Sequence, residues 1–318
     1  MIVALAGGVG GAKLAHGLYQ ALPPDELTIV VNTADDFELF GLRISPDADT
    51  VMYTLAGIAN PETGWGVVGD TWQTLEMLGR YGYDMWFRLG DRDFATHIAR
   101  TERLRAGQTL TEVTHTLATA LGIRAALLPM CDQLVATQVA TPDGVLPFQD
   151  YFVRRHHADT VKGVVFAGIE EATISASVAD ALRQARAIVF CPSNPIVSIG
   201  PILAVAGMRE ALGAARAPKV AVSPIVGGKA LRGPADRMLA DLGYEVSALG
   251  VARMYQGLID GLVIDTADAA LHAPIAALGM RVLVTHTVMH DERDRRSLAE
   301  QVLGFAAQLS AEDATIIK

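Results

Sequence analysis

Cysteine is scarce in this chain of 318 residues, with only Cys131 and Cys191 present. Their separation fits neither a metal-binding nor a redox spacing. That excludes a disulfide scaffold and a cysteine zinc site, and points to small buried residues in a reducing cytoplasm. Basic charge is also short: 26 Lys and Arg stand against 35 Asp and Glu, for a net charge of −9. The densest basic patches are residues 154–155 and 293–296, the second broken by Asp294. Non-specific nucleic-acid binding needs clustered Lys and Arg, so nucleic acid is excluded as a partner. No apolar run approaches the roughly 18 residues of a membrane span, and residues 1–6 enter an apolar run without a basic leader. Neither a membrane segment nor a signal peptide is expected, and the expected location is the cytoplasm. Aromatic residues make up only 6% of the chain, and all three Trp, at 65, 72 and 86, fall in one short region.

What the chain does have is apolar residues, 51% of the total, in short runs. Runs of strand length at 2–6, 27–32, 163–167, 187–191, 219–223, 261–265 and 281–285 alternate with helical patterns at 12–22, 175–186, 202–214, 232–242, 267–278 and 292–309. Several strands are continuous Val, Ile, Leu and Phe, as strands covered on both faces are. This alternation predicts an α/β fold, a single Rossmann-like domain over 1–318 with a mostly parallel sheet and helices on both faces. From about 50 to 122 the strand signal vanishes, and four helical stretches predict a helical insertion. Thr141-Pro142-Asp143-Gly144 then predicts a hairpin over about 134–153. The segment from Ser310 is expected to be loosely held.

In open α/β sheets, ligands bind beyond the carboxyl ends of the strands. The first such end carries Gly7-Gly8-Val9-Gly10-Gly11. Glycines there let several N–H groups face one anion, helped by the N-terminus of the next helix. The dinucleotide pattern fits Gly8 and Gly10 but meets Lys13 at its third glycine, and Ala12 and Leu14 break the P-loop pattern. A phosphate site of neither standard kind is therefore expected, with Lys13 either reaching a phosphate oxygen or simply solvated. Residues 192–201, with Ser193, Asn194 and Ser198, and residues 223–229, with Gly227 and Gly228, follow strands at the same sheet edge. Each is a ligand loop or an ordinary capped turn, with Asn194 fixing its own turn in the second case.

Residues 31–50 hold five acids and one base. Asp47 reads as a helix N-cap. Asp35 admits three roles: a ribose contact in an NAD-binding fold, a turn cap, or a ligand to a divalent cation lying between carboxylates and a bound phosphate. Magnesium suits the third, since it prefers oxygen and commonly joins one or two carboxylates to phosphate oxygens. The pair expected to hold it is Asp35 with Asp49, and Asp36 competes with Asp35 for the role. Arg88, in the loop-like run 86–93, has two readings with the three Trp: stacking and polar contact with a planar ligand, or a seal of the insertion against the sheet. His286 and His290 have a zinc-helix spacing without a third ligand.

Taken together these pieces resemble one family. Ala6-Gly7-Gly8-Val9-Gly10-Gly11-Ala12-Lys13, Asn32-Thr33-Ala34-Asp35-Asp36, Ser45-Pro46-Asp47-Ala48-Asp49-Thr50, Gly64-Trp65-Gly66, residues 86–93, Ser193-Asn194-Pro195 and Ser223-Pro224-Ile225-Val226-Gly227-Gly228 occur in the order seen in the CofD/FbiA transferases of coenzyme F420 biosynthesis. The resemblance spans nearly the whole chain. It implies a Rossmann-like fold with a helical insertion, often in a homodimer. It also implies magnesium-dependent transfer of a phosphorylated three-carbon acid unit (lactate, enolpyruvate or glycerate type) from a guanosine diphospho donor to the ribityl hydroxyl of the 5-deazaflavin Fo, with release of GMP. On that resemblance Asp49 and Arg88 contact Fo, and Asp35 and Asp49 match the metal-binding acids. The glycine loop (Gly8, Gly10, Gly11, Lys13) and the loops with Ser193, Asn194, Ser198, Gly227 and Gly228 would hold the guanosine diphosphate. Asp35 and Asp49 are the expected catalytic acids. The rival readings are a Rossmann-like regulator that binds a nucleotide sugar without transfer chemistry, and an NAD dehydrogenase with Asp35 on the ribose, against which Lys13 stands in place of the third glycine and no catalytic His–acid pair stands out.

Overall fold

The structure, a computed structural model, describes residues 1–316, apart from the side chains of 24 and 312–316. Its centre is a seven-stranded parallel sheet: β1 (Ile2–Ala6), β2 (Leu27–Val31), β3 (Ala126–Pro129), β4 (Ala187–Phe190), β5 (Lys219–Val222), β6 (Gly261–Asp265) and β7 (Arg281–Thr285). In space they run β3-β2-β1-β4-β5-β6-β7. The order reverses between β1 and β4, so the crevice of a doubly wound fold opens there, beyond their carboxyl ends.

The apolar runs are continuous because both faces are covered. Val3 and Leu5 enter one core with Ile188, Phe190, Leu262 and Ile264. Ile2, Ala4 and Ala6, one residue out of phase, enter the other with Val189, Val220 and Val263. Helices α1 (Gly8–Ala21) and α2 (Pro46–Leu55) cover the second face with helix Glu292–Ile316, through Leu14, Leu18, Val51, Met52, Leu298 and Val302. Helices Ala176–Gln184, Ile199–Ala204 and Ala248–Met254 cover the first. Helix Glu292–Ile316 runs straight through Ser310, against the expectation of a loose segment there; residues 317 and 318 lie outside the described residues.

Between β2 and β3 lie α2, α3 (Gln73–Arg80), α4 (Asp91–Arg105) and α5 (Leu110–Ala120). Helices α3 and α4, with the 37–44 segment and the loop residues Trp72, Phe87 and Leu89, have a small core of their own around Ile44, Leu75, Leu89 and Phe94. The end of α2 is a sheet-facing element of the main core, so the insertion is anchored at its first helix.

Two strand assignments differ from expectation. Gly163–Ala167 joins a separate antiparallel sheet, in the order Gly144–Pro147, Ala136–Thr141, Gly163–Ala167. Its residues are mostly half-buried, because only one face is covered. A short apolar run does not distinguish that setting from a doubly covered strand. The place at the β2 edge is taken instead by β3, four residues that carry no alternation. The acidic stretch also contains an unexpected hairpin, Phe37–Leu39 with Leu42–Ile44.

Candidate active site

One cavity of about 1080 Å³ lies over the carboxyl ends of β1, β2, β4, β5 and β7. It exceeds the roughly 300–1,000 Å³ of a single drug-sized ligand, so it has room for two substrates side by side. Gly8, Gly10 and Lys13 line it, with Asp35, Asp47 and Asp49, Trp65, Trp86 and Arg88, and Ser193, Asn194 and Ser198.

The floor is the start of α1. Gly7 is extended, and the helix begins at Gly8, whose φ of 62° favours glycine. The first N–H groups of a 14-residue helix therefore open into the cavity, with no acid in the first turn. Ser193 ties this turn to the loop after β4: its Oγ accepts from Gly7 N at 3.2 Å and donates to Gly7 O at 2.8 Å. The two loops approach so closely that a Cβ on Gly10 would stand 2.4 Å from the Pro192 carbonyl oxygen. Gly10→Ala is therefore expected to lower the melting temperature, read by thermal melts, since backbone must move to admit the methyl group.

Facing this electropositive turn are carboxylates. Asp35 and Asp47 are both buried and line the cavity. Asn32 donates to Asp47 Oδ2 at 2.9 Å and to the Val197 carbonyl at 3.3 Å, which aims Asp47 at the glycine loop. Burial raises the Asp47 carboxyl to about 6, against hydrogen bonds from Asn32 and the Gly8 backbone. Burial, and then the charge of Asp47, hold Asp35 well above the usual carboxylate range. Asp35 Oδ1 is buried without a hydrogen-bond partner. Two like carboxylates, one with an orphaned oxygen, beside a helix N-terminus form a hard-oxygen donor set that fits a magnesium ion shared with phosphate oxygens.

Asp36 turns elsewhere. Ser45 Oγ donates to its Oδ2 at 2.7 Å and Arg43 lies 3.4 Å from the same oxygen, closing the small hairpin. Burial still raises Asp36 to about 6. Asp49 has its own counter-ion: Arg100 donates to both of its oxygens, through one nitrogen at 3.0 Å to Oδ2. At the glycine loop Asp35 therefore neighbours Asp47, while Asp49, the acid expected to join Asp35, faces Arg100. Asp47 is not a cap. Pro46 takes the first helical position, so Ser45 is the N-cap residue and Asp47 falls two positions beyond it.

The opposite wall is aromatic. Trp86 stands at 6.0 Å from Phe37 and 5.5 Å from Phe87, and Trp65 is 41% exposed at the cavity. Arg88 stacks over Trp72 at 4.4 Å from the ring centroid. Trp72 packs against the insertion's core, while Trp65 and Trp86 line the cavity.

A family model described as 2-phospho-L-lactate transferase CofD matches residues 2–303. The chain belongs to the CofD family. A phosphoenolpyruvate transferase of Streptomyces griseus is 46% identical over 316 residues, 98% of this chain and 99% of that protein. One from Streptomyces coelicolor is 44% identical, covering 97% of this chain and 98% of its own. A 2-phospho-L-lactate transferase of Methanosarcina acetivorans is 43% identical, covering 96% and 98%. The crystal structure of a UPF0052 family protein from Bacillus halodurans superposes with a TM-score of 0.61 at 17% identity, over 95% of this chain and 98% of that one, a likeness of fold.

Within this CofD-family cavity several expected ligand residues do other work. Gly227 and Gly228 do not line it. With φ of 57° and 77° they form the two-residue turn between Ile225–Val226 and Lys229–Ala230, and Gly227 N donates to Asp268. Gly11 packs against Ser193, where a Cβ would come within 2.5 Å of Oγ. Asn194 fixes its own turn, its Oδ1 accepting from Ile196 N at 2.9 Å, while still lining the cavity. Lys13 donates to the Met289 carbonyl at 2.7 Å, and burial lowers its pKa. His286 and His290 fall in a non-helical segment, so their spacing does not place them on one face. Burial raises the Cys131 thiol to about 11 and the Cys191 thiol as well, which keeps both protonated. Among the described residues no helix is long and apolar enough to cross a membrane.

Proposed function

We propose that this chain is a transferase of coenzyme F420 biosynthesis. It moves a phosphorylated three-carbon acid unit from a guanosine diphospho donor to the ribityl hydroxyl of the deazaflavin Fo, releasing GMP. The observation that carries this reading is the sharing of one cavity by an anion-binding helix N-terminus, an acidic corner and an aromatic wall. A diphosphate donor suits the first two and a planar acceptor the third. Relatives named for the lactate and for the enolpyruvate unit match at nearly equal identity, 43% and 46%.

In this reading the hydroxyl oxygen of Fo bonds to the donor phosphorus that bears the acid unit. The bond from that phosphorus to the GMP oxygen breaks, the hydroxyl proton leaves, and a phosphodiester remains. Positioning and charge neutralisation dominate such transfers. The α1 N-terminus and Ser193-stapled glycine turn receive the guanylyl phosphate. Asp35 and Asp47 would hold magnesium, with Asp49 next along the same helix. A magnesium ion bound there would neutralise charge on the diphosphate oxygens. Trp86 and Arg88 orient the deazaflavin ring, and Asp49 meets its hydroxylated side chain.

Two results test this. Incubation with Fo, magnesium and guanylylated phospholactate, phosphoenolpyruvate or phosphoglycerate, followed by mass spectrometry, should yield GMP and an Fo phosphodiester from at least one donor. Nucleotide binding without GMP release from any donor would favour the regulatory alternative. Arg88→Ala should raise the KM for Fo about tenfold and leave the KM for the donor within about twofold, by steady-state kinetics.

A further inference from the structure

Arg100 lies behind the cavity wall and is 2% exposed. Nothing in its helical setting, the third turn of α4, singles it out in the sequence. Its guanidinium donates to both oxygens of Asp49 and stands 3.2 Å from His97 Nδ1. Arginine has donors only, so a hydrogen bond between the two is one in which His97 Nδ1 accepts, and the same nitrogen lies 3.6 Å from Asp49 Oδ2. The other ring nitrogen, Nε2, lies 3.3 Å from Asp93 Oδ1 without making a hydrogen bond, and Tyr53 donates to that oxygen at 2.7 Å. Tyr53, Asp93, His97 and Asp49 line the cavity and are all buried. Each Asp49 oxygen keeps a lone pair after accepting from Arg100, and so can receive one more hydroxyl.

A metal is the competing occupant, because Asp49, Asp93 and His97 present ligand atoms all within 4.8 Å of one another. Arg100 already supplies the positive charge at Asp49. A divalent ion placed there would meet the guanidinium at contact distance, so the cluster is a hydrogen-bonded support and not an ion cage.

We infer that Arg100 is a positioning residue: from behind the wall it fixes the Asp49 carboxylate in the orientation that accepts a hydroxyl of the acceptor's polyol chain, with His97 beside Arg100 holding the guanidinium in place. The inference rests on the proposed acceptor, Fo. It makes Arg100 matter for the acceptor and not for the nucleotide.

The test is a double-substitution cycle, with Fo and GDP affinities measured by calorimetry on wild type, Asp49→Asn, Arg100→Lys and the double variant. Lysine keeps the charge and loses the two-pronged geometry. Arg100→Lys should weaken Fo binding at least tenfold, leave GDP binding within twofold, and add less than twofold in the Asp49→Asn background. Wild-type Fo affinity in Arg100→Lys overturns the inference, as does an equal loss with and without Asp49. If Arg100→Lys does not melt cooperatively, His97→Asn takes its place in the cycle, with a loss of at least threefold expected and no loss overturning it. Wild-type protein that fails to bind Fo at all would instead sink the functional reading on which this stands.

Discussion

Asp35→Asn is expected to reduce kcat by about a thousandfold or more while the protein still folds. Asparagine keeps the shape of the side chain and removes a buried charge whose Oδ1 has no partner. In the metal-free protein this also removes repulsion from Asp47, the second cause of the raised Asp35 pKa after burial. The melting temperature without magnesium should therefore hold or rise as activity disappears. Asp47→Asn should behave alike. Asp36→Asn should not: it loses contacts to Arg43 and Ser45 and should lower stability with a much smaller effect on turnover. Steady-state kinetics beside thermal melts separate the three. An Asp35→Asn enzyme with near wild-type kcat, or an Asp36→Asn enzyme as dead as Asp35→Asn, would remove Asp35 from the metal site.

Removing magnesium should abolish transfer, and its effect on stability should depend on pH with a definite sign. Asp47 titrates at about 6 in the folded protein, above its ordinary value of 3.8. A carboxyl with a raised folded pKa contributes stability that is present below the unfolded value and is lost as pH climbs through the folded one. Without a cation, Asp47 therefore costs stability as pH climbs through about 6. Asp35 shifts in the same direction. In the proposed site magnesium would bind only the ionised pair, so it should restore what deprotonation takes away. The melting temperature should rise with added magnesium at pH 7.5 and stay unchanged at pH 5. Equal stabilisation at both pH values would mean that the ion binds somewhere other than this pair.

Much of the fold was legible because doubly covered parallel strands leave continuous apolar runs, and six of the seven main strands have them. β3 escaped notice because four residues carry too little pattern. Gly163–Ala167 misled because its run is apolar while one face stays uncovered. At the site, the glycine turn and the Trp86–Arg88 wall could be read from local sequence. The placement of Asp47 beside the glycine loop and Asp35 could not be read from proximity to the strand alone. Its signal was Pro46: proline at the first helical position makes Asp47 the second residue of α2. Asp47 and Asp49 then diverge by roughly 200° around the helix, one toward the glycine loop and one toward Arg100. Gly227 and Gly228 looked like a phosphate loop because tight two-residue turns and anion cradles ask for the same residue. Arg100 carried no local signal, since its partner lies 51 residues away in sequence.

Calorimetric titration of GDP at pH 7.5, with and without magnesium, on wild type and Asp35→Asn tests the cation bridge most directly. Magnesium should tighten GDP binding at least tenfold in the wild type and leave Asp35→Asn unchanged. Wild-type GDP affinity that is the same with and without magnesium would contradict a cation held between these carboxylates and the diphosphate.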